Sequence, residues 1–263
     1  MMSAVAHLLS AVALLGACTA APGEEEAIPL PPPHAAWDYQ IGGAYDPPDG
    51  VEVVGRDHGD DPAAGLYNIC YVNAFQAQPG AEDEWGDLLL RDADGDVVYD
   101  EDWGEAVLDT STGARRAGIA AKVNAWVDEC ADKGFQAVEP DNYDSFTRVP
   151  DELLSAGDNQ ALIRLLSAHA HNRGLAIAQK NTAELAGARE TNGLDFAVVE
   201  ECGHHDGECG RYTEAFGDHV VIVEYTTDGL DRACAGWADE LSIVLRDVDV
   251  SAPDDEGYVY GTC

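Results

Sequence analysis

Residues 134–144 read Gly-Phe-Gln-Ala-Val-Glu-Pro-Asp-Asn-Tyr-Asp, a short apolar run that ends abruptly in polar side chains. Three carboxyl groups, one amide and one phenol follow the apolar residues 135–138. Unpaired buried charges are strongly disfavoured, so this cluster is expected at the end of a strand, facing a cleft. Two further acids, Glu200 and Glu201, follow another apolar run at 195–199. Hydrolysis of a glycosidic bond typically uses two carboxyl groups, and two strand ends that meet at one cleft would supply them.

Short apolar runs alternate with helical patterns along most of the chain. Apolar residues at helical spacing predict helices at 115–132 and 158–173. The second helix is expected to be capped by Asp158 and Asn159 and to end at Gly174. Alternating strands and helices predict an α/β fold with a parallel sheet, and eight units fit a single-domain (β/α)8 TIM barrel. The apolar runs are 36–41, 51–54, 66–72, 135–138, 174–178, 195–199, 219–224 and 241–245.

Polar residues directly follow six of the predicted strands. In barrels of this kind the C-terminal ends of the strands carry the chemistry, so these side chains are expected on one rim. The pattern therefore predicts a cleft rich in carboxyl groups. The residues are Asn73, the segment 139–144, Lys180 with Asn181, Glu200 with Glu201, Glu224 with Tyr225, and Arg246 with Asp247.

The composition is strongly acidic. The 263 residues include 50 acidic and 14 basic side chains, which gives a formal net charge of −36. Nucleic acid is excluded as a partner, because phosphate contacts need a basic surface. A cationic substrate, a salty habitat and a solvated acidic shell that keeps the protein soluble each suit such a surface. The sequence has no Gly-rich phosphate loop, and we expect no cofactor.

The N-terminus has the pattern of an export signal. Residues 1–18 are largely apolar and end in Leu-Gly-Ala-Cys, which resembles a bacterial lipobox with Cys18 as the lipidated residue. No Lys or Arg precedes the apolar core, and ordinary signal cleavage near Ala20 is the alternative. Residues 19–35 are rich in Pro, Ala and Glu and are expected to be a disordered linker before the domain at 36–263. We expect a secreted or cell-surface monomer that meets a membrane only through a lipid anchor.

The cysteines indicate disulfide bonds. Six remain if Cys18 carries lipid, and an even number in an exported chain is typical of a disulfide framework. Six cysteines allow 15 pairings, so connectivity stays open. Cys202 and Cys209 are near enough in sequence to close a small loop, and the other pairs would then be Cys70 with Cys130 and Cys234 with Cys263.

A zinc site is the alternative use of the cysteines, because His204 and His205 lie between Cys202 and Cys209. No CxxC pair occurs in the sequence, and export favours oxidation of the thiols. We therefore expect no metal site.

Four segments together resemble one glycosidase family. In this combination and order they resemble glycoside hydrolase family 114, the endo-α-1,4-polygalactosaminidase-like group of (β/α)8 barrels. The resemblance covers roughly residues 36–228 and implies that Asp141 and Glu200 are the catalytic pair. The segments are WDYQIGG at 37–43, VEPDNYD at 138–144, LAIAQKN at 175–181 and DFAVVEEC at 195–202.

The chain departs from the family pattern at three places. Tyr39 stands where the family often has Trp, and residues 136–137 are Gln-Ala in place of Asp-Gly. Val199 stands where Asn usually precedes the catalytic glutamate, which would remove a polar neighbour from Glu200. This change favours the alternative of a non-catalytic sugar-binding lipoprotein with the same barrel.

The two acids are expected to have different roles. One carboxyl group must protonate the leaving oxygen, and a second must attack the anomeric carbon or activate water. Asp141 has polar neighbours that keep it ionised and is the expected nucleophile. Glu200 follows an apolar run and is the expected acid/base, although the roles could be exchanged. Taken alone, Pro-Asp-Asn at 140–142 is also typical of an ordinary turn.

Several further residues are candidates for substrate binding. Glu139 could hold a substrate amine or pair with Lys180, which is expected to orient a carboxylate rather than act as a base. Trp37 and Tyr39 could stack on a sugar face or belong to the core. The other candidates are Asn142, Tyr143, Asn181, Glu201 and Tyr225, with Asn73 and Asp57 the weakest.

The charge also bears on the substrate. A galactosamine polymer with free amines is a polycation near neutral pH, and a cleft with several carboxyl groups would attract it. We therefore expect internal cleavage of an α-1,4-linked, galactosamine-containing polysaccharide. A hydrolase for a different glycan and an acidic surface protein, in which Asp141 and Glu200 lie far apart, are the open alternatives.

Overall fold

Eight parallel strands form a barrel in a computed structural model that describes residues 27–150 and 152–263. The parallel strands are β1 (Trp37–Gln40), β2 (Val53–Asp57), β3 (Tyr67–Asn73), β7 (Ala137–Asp141), β8 (Ala176–Lys180), β9 (Phe196–Glu200), β10 (Val220–Glu224) and β11 (Ser242–Arg246). They are neighbours in this chain order, and β12 (Tyr260–Thr262) adds to β11 in antiparallel orientation. Each predicted apolar run overlaps one of the eight strands, which confirms the (β/α)8 fold.

Helices pack on the outside of the barrel. In α2, Thr112 is the N-cap and accepts a hydrogen bond from the Arg115 backbone N–H at 3.3 Å, and Gly134 ends the helix with a φ of 95°. Residues 41–52 and 58–66, which connect the first three strands, contain no α-helix. The helices are α1 (Glu82–Trp85), α2 (Gly113–Lys133), α3 (Ala156–Asn172), α4 (Arg189–Asn192), α5 (Glu208–Phe216) and α6 (Thr227–Trp237).

Helix α3 begins earlier than predicted. Its N-cap is Ser155, and Asp158 lies inside the first turn, where its Oδ2 accepts the Ser155 backbone N–H at 3.0 Å. Asn159 does not cap the helix, because its buried side chain donates to the Tyr143 carbonyl at 2.9 Å. The predicted end is correct, since Gly174 follows the helix in a left-handed conformation, with a φ of 74°.

A small antiparallel sheet is inserted between β3 and α2. It consists of β4 (Gln76–Ala77), β5 (Tyr99–Asp100) and β6 (Glu105–Val107), in the order β4-β6-β5. The sequence analysis assigned no element to this stretch. Because the insertion starts just after the C-terminal end of β3, it forms a wall above that end of the barrel.

The core has an inner and an outer layer. The inner layer contains Trp37, Tyr39 and Phe196, all fully buried, and the Trp37 indole N–H donates to the Ile222 carbonyl at 3.1 Å. The outer layer, between strands and helices, includes Val199. Successive residues of a strand point to opposite faces, so the residue after Val199 faces the inside of the barrel.

Side chains close the barrel between β11 and β1. Within the described residues, backbone ladders join each strand to the next from β1 to β11, but none joins β11 to β1. Arg246 and Asp38, both fully buried, form an ion pair of 2.9 Å across this seam. Gln40 donates to the other Asp38 oxygen, and Arg246 also donates to the carbonyls of Ser251 and Val259. A fully hydrogen-bonded charge pair thus replaces backbone pairing at the seam.

Three disulfide bonds tie loops and helices to the barrel. The link between Cys70 and Cys130 joins β3 to α2, and the link between Cys202 and Cys209 closes the loop before α5. The third joins Cys234 of α6 to the C-terminal Cys263. These are the pairs that the sequence analysis considered.

Residues 27–35 pack against the barrel, although the sequence predicted a disordered linker there. Ile28 and Leu30 pack against the inner layer, and the Tyr67 hydroxyl donates to the Pro29 carbonyl at 2.8 Å. Residues 27–35 therefore do not belong to a disordered linker. The predicted signal and the lipidation of Cys18 lie outside the described residues. Within the part that the structure describes, no helix combines the length and apolar composition that a bilayer crossing requires.

The seam can be tested by removing its cation. We expect Arg246→Met to lower the free energy of unfolding by about 3–5 kcal/mol, because it leaves the Asp38 charge buried without a partner. The matched control is Arg232→Met, since Arg232 pairs with Asp228 at 2.9 Å but is 55% exposed. The control should cost at most about 1 kcal/mol in urea denaturation. Similar small losses in both variants would contradict the role of the seam pair.

Candidate active site

The C-terminal ends of the strands open into a cleft with a cavity volume of about 540 Å³. Arg148 and His205 contribute the basic groups of its lining, against six carboxyl groups. The predicted acidic cleft is therefore present at the predicted rim. The acidic lining residues are Glu105, Asp141, Glu200, Glu201, Glu208 and Asp249.

Lys180 lies at the centre of the site, at the end of β8, and is only 2% exposed. Its Nζ is 2.9 Å from Glu139 Oε1, 3.2 Å from Asp141 Oδ1 and 3.6 Å from Glu200 Oε1. Three carboxyl groups from β7 and β9 thus surround one ammonium from the strand between them. Asp141 and Glu200 therefore meet at one pocket, although they lie far apart in the sequence.

Asp141 is held in its ionised form. The Tyr71 hydroxyl donates to Oδ2 at 2.6 Å, and the Asn142 backbone N–H donates to Oδ1 at 2.7 Å. Burial alone would raise the pKa of Asp141, but the Lys180 charge and these hydrogen bonds outweigh it and lower the pKa below its usual value. The side chain is still 17% exposed, so it combines a stable negative charge with access from the cleft.

Glu200 has a polar environment, unlike the apolar one expected from the sequence. Its Oε1 accepts from the Tyr225 hydroxyl and its Oε2 from Asn181 Nδ2 at 2.9 Å. Asn181 Oδ1 also accepts the Glu200 backbone N–H at 2.9 Å, which fixes both ends of the residue. The Glu200 side chain is 25% exposed and lines the cleft.

The substitution at Val199 does not change the cleft. Val199 is fully buried in the outer layer, on the opposite side of β9 from the Glu200 side chain. The amide that contacts the Glu200 carboxylate comes from Asn181 of the neighbouring strand connection. Val199 therefore removes no contact of Glu200 within the cleft, and this departure does not favour a non-catalytic barrel.

Glu139 lies beneath the cleft and cannot hold a substrate amine. It is fully buried, and its Oε1 accepts from Tyr39 at 2.7 Å and from Lys180 at 2.9 Å. Burial is the main cause that raises the pKa of Glu139 to about 7, against the opposing Lys180 charge. Its Oε2 is buried without a hydrogen-bond partner. The ion pair with Lys180, which was the other sequence interpretation, is what the structure contains.

Three adjacent strands end in left-handed residues. Asn142 follows β7 with a φ of 63°, Asn181 follows β8 with a φ of 48°, and Glu201 follows β9 with a φ of 56°. Asparagine tolerates this conformation better than most residues, whereas it is uncommon for glutamate. Strained backbone of this kind is frequent where side chains must be aimed at a site. Here it turns the chain so that all three residues line the cleft.

Two predicted substrate-binding residues lie in the core instead. Trp37 and Tyr143 are fully buried and do not line the cleft. The Tyr143 hydroxyl accepts a hydrogen bond from Asn192 Nδ2 at 3.1 Å, and its ring packs against Phe75 in the outer layer. The turn at Asn142 directs Tyr143 away from the cleft, which its position beside Asp141 in sequence does not reveal.

The weaker candidates occupy different surroundings. Asn73 is buried at the edge of the cleft, where its Nδ2 donates to both Glu105 oxygens at 3.1 and 3.0 Å. Asp57 lies outside the cleft and accepts the Gly59 backbone N–H at 2.8 Å. Tyr39 is fully buried and its hydroxyl contacts Glu139, so its ring cannot stack on a sugar. By contrast, Glu201 and Tyr225 line the cleft.

Several residues of the cleft are not among those predicted from the sequence. Tyr71 lies within the apolar run of β3. It is two residues before Asn73 and therefore on the same face of the strand, and this spacing could have identified it as a cleft residue. Trp103 and Glu105 come from the inserted sheet, and His205 and Glu208 come from the loop that the Cys202–Cys209 disulfide closes. No strand or helix pattern marks these loop residues.

The described residues contain no group of three or more His, Cys, Asp or Glu side chains arranged to hold a metal ion. Cys202 and Cys209 are bonded to each other, so neither offers a thiolate beside His204 and His205. The zinc alternative therefore has no ligand set at this loop.

Paired carboxyl groups at the C-terminal rim of a (β/α)8 barrel define the site of a glycosidase. The chain belongs to glycoside-hydrolase family GH114, whose family model matches residues 18–263. This confirms the family resemblance of the sequence and makes the protein a glycosidase. None of the curated proteins matches the chain.

Solved structures agree with this fold. The crystal structure of Ega3 from Aspergillus fumigatus in complex with galactosamine is similar with a TM-score of 0.73 at 21% identity, covering 92% of this chain and 100% of that one. The glycoside hydrolase domain of PelA from Pseudomonas aeruginosa is similar with a TM-score of 0.56 at 17% identity, covering 87% and 98%. At these low sequence identities, the structural similarity shows that the chain shares the barrel fold of the two proteins.

Glu139 makes a prediction about stability and pH. Its pKa is about 7 in the folded protein and 4.5 for an ordinary glutamate. Between these values the unfolded chain releases the proton and the folded chain retains it, so stability falls as the pH rises. Glu139→Gln cannot titrate, and we expect the unmodified protein to lose roughly 2–3 kcal/mol relative to this variant between these two pH values.

Urea unfolding at a series of pH values measures this difference. Glu101→Gln is the matched control, because Glu101 is exposed and its removal should leave the pH dependence parallel to that of the unmodified protein. A constant difference between the Glu139→Gln variant and the unmodified protein would refute a proton retained at Glu139.

Proposed function

We propose that the protein cleaves internal α-1,4 linkages of a galactosamine-containing, cationic polysaccharide by a mechanism that uses Asp141 and Glu200. The observation that supports this most directly is the shared contact of both carboxyl groups with Lys180 Nζ, at 3.2 and 3.6 Å. It brings two acids to one cleft that is open to substrate. Among the carboxyl groups that line the described cleft, no other pair contacts the same buried cation.

In the proposed first step, Asp141 attacks the anomeric carbon while Glu200 donates its proton to the leaving glycosidic oxygen. The bond from the anomeric carbon to that oxygen breaks, and a glycosyl ester forms on Asp141. In the second step, Glu200 removes a proton from water, whose oxygen attacks the anomeric carbon and releases Asp141. Tyr71, Asn142 and Lys180 stabilise the negative charge of Asp141 before the attack and after its release.

The shared contact with Lys180 sets an upper limit on the spacing of the two acids. Because both contact Lys180 Nζ, the two carboxyl oxygens cannot be further apart than the sum of those two contacts. Retaining glycosidases hold their acids about 5–5.5 Å apart, whereas inverting enzymes need about 6.5–9.5 Å to admit a water. This upper limit admits the retaining spacing and only the shortest inverting spacings.

The charge of the cleft supports a cationic substrate. Six carboxyl groups line it, and the whole chain carries a net charge of −36. Such a field attracts a polyamine sugar and repels acidic polysaccharides. The galactosamine bound to the similarly folded Ega3 is an amino sugar of this kind.

The setting is proposed to be extracellular. Three disulfide bonds are typical of a protein that folds in an oxidising compartment. With the lipobox pattern at Cys18, they support a protein that is exported and held at a membrane surface by lipid.

The catalytic assignment predicts the behaviour of two variants. Asp141→Asn and Glu200→Gln should each lower the release of oligosaccharides from a de-N-acetylated galactosamine polymer by about a thousandfold or more, since each removes a group that acts in both steps. Asp57→Asn, which removes a rim carboxylate outside the cleft, is the control and should retain activity. Full activity in either cleft variant would refute its role.

Azide then separates the two roles. In Asp141→Ala, azide can occupy the space of the lost carboxylate and restore turnover, giving a glycosyl azide of inverted configuration. Such rescue is expected at Asp141 if it is the nucleophile. If instead the Glu200→Ala variant yields the inverted azide, the roles are exchanged.

The proposal of a cationic substrate has its own test. It is refuted if the protein cleaves the polymer only when the amines of the polymer are acetylated.

Tyr71 provides a separate test through pH. Its hydroxyl stabilises the ionised form of Asp141, so Tyr71→Phe should raise the pKa of that carboxyl by about one unit. The acid side of the kcat/KM profile should move to higher pH, because the nucleophile is then protonated earlier as the pH falls. Tyr99→Phe, at an exposed tyrosine, is the control. An unchanged acid side would contradict the proposed support of Asp141.

A further inference from the structure

The inserted hairpin brings an aromatic and an acidic side chain into the cleft together. Trp103 lies in the turn between β5 and β6, is 54% exposed and lines the cleft. Glu105 lies two residues later, at the start of β6, and also lines the cleft. An exposed indole beside a carboxyl group has an apolar face for a sugar ring and an acceptor for its polar substituents.

Glu105 is fixed in position relative to the proposed nucleophile. Its two oxygens accept from Asn73 Nδ2 at 3.1 and 3.0 Å, and its Oε2 also accepts from Asn142 Nδ2 at 3.2 Å. The backbone N–H of the same Asn142 donates to Asp141 Oδ1 at 2.7 Å. One asparagine therefore joins the two carboxyl groups, so a sugar bound at Asp141 has Glu105 beside it.

Glu105 also lacks a cationic partner. Among the residues that the structure describes, no Lys, Arg or His lies within ion-pair distance of it, and the cleft cation Arg148 pairs instead with Asp100 at 2.6 Å and Asp144 at 3.1 Å. Burial is the main cause that raises the pKa of Glu105, and the Asp141 charge adds to it, against the opposing effects of the Asn73 hydrogen bond and the more distant Arg148 charge. A partly buried carboxylate without a counter-charge is the group that a cationic ligand would stabilise most.

We propose that Glu105 determines specificity by pairing with the ammonium group of the sugar residue bound beside Asp141, while Trp103 stacks on a sugar face. This inference rests on the proposed action on amino sugars. It gives to Glu105 the amine-binding role that the sequence analysis considered for the buried Glu139.

The physical basis of the selection is the difference between an amine and an N-acetyl group. Acetylation removes the positive charge and adds bulk, so the Glu105 carboxylate would lose its ion pair and stay partly buried with only the two asparagine amides to stabilise its charge. A site that leaves a buried polar group unpaired rejects a ligand more strongly than one that merely lacks a contact. Stacking on Trp103 does not depend on the charge and should be similar for both ligands.

The test measures binding without turnover. The full chain carrying Glu200→Gln is titrated by calorimetry with an α-1,4-galactosamine oligomer and with its fully N-acetylated counterpart, at a pH where the amines are charged. We expect the free-amine oligomer to bind about tenfold to a hundredfold more tightly, as for a charge-assisted hydrogen bond. Adding Glu105→Gln should remove most of this difference, since glutamine can still accept from both asparagines.

Two further variants make the test specific. Glu101→Gln removes the same charge from an exposed position of the same hairpin and should leave the preference unchanged. Trp103→Ala should weaken both oligomers by a similar factor. Thermal unfolding of each variant verifies the fold, and the comparison of the two oligomers on the Glu105-containing chain needs no hairpin variant.

The outcomes separate this inference from the proposed function. Equal affinity for both oligomers with Glu105 intact, or an amine preference that survives Glu105→Gln, overturns the inference even if the unmodified protein cleaves the polymer. If the unmodified protein cleaves neither glycan but shows an amine preference that Glu105→Gln abolishes, the hydrolytic proposal fails and the specificity role of Glu105 stands.

Discussion

A single buried ammonium holds the site together. Lys180 is the only cation in contact with Glu139, Asp141 and Glu200 among the described residues, and it is almost inaccessible to water. If all three acids were ionised, the cluster would carry more negative charge than one lysine can balance in a low-dielectric interior. A proton is retained at Glu139, which is the most deeply buried of the three, has an unpartnered oxygen and has a pKa raised to about 7 by burial. This leaves the charge of Lys180 available to Asp141, the proposed nucleophile.

The barrel makes this arrangement possible through strand alternation. Glu139 and Asp141 lie two residues apart on β7, so both point inward at different depths, one beneath the cleft and one at its floor. Lys180 and Glu200 end the next two strands at the same rim. The geometry requires the strands to keep their tilt and order around a closed barrel. The buried pair of Asp38 and Arg246 contributes to that closure where backbone pairing is missing.

The strands could be predicted because both of their faces are buried, which produces continuous apolar runs. The rim position of Asp141 and Glu200 followed from the same patterns, because a charge placed after such a run has to lie at a strand end. The position of Tyr143 could not be predicted, since a sequence does not say how the turn at Asn142 directs the next side chain, whereas the core was already one of the two positions considered for Trp37. The hairpin with Glu105 has strands of two and three residues, too short for any periodicity. The joint contact of Lys180 with three acids depends on the register between strands.

The disulfide between Cys202 and Cys209 encloses His205 and Glu208, so one short covalent loop carries two cleft residues and adjoins a third, Glu201. A loop of this size loses much of its freedom when the bond forms. One wall of the cleft is therefore held by a disulfide bond in addition to the packing of the barrel. A chain in which these two cysteines are still reduced can possess the whole barrel and lack the covalent closure of this wall, which ties completion of the groove to an oxidising compartment.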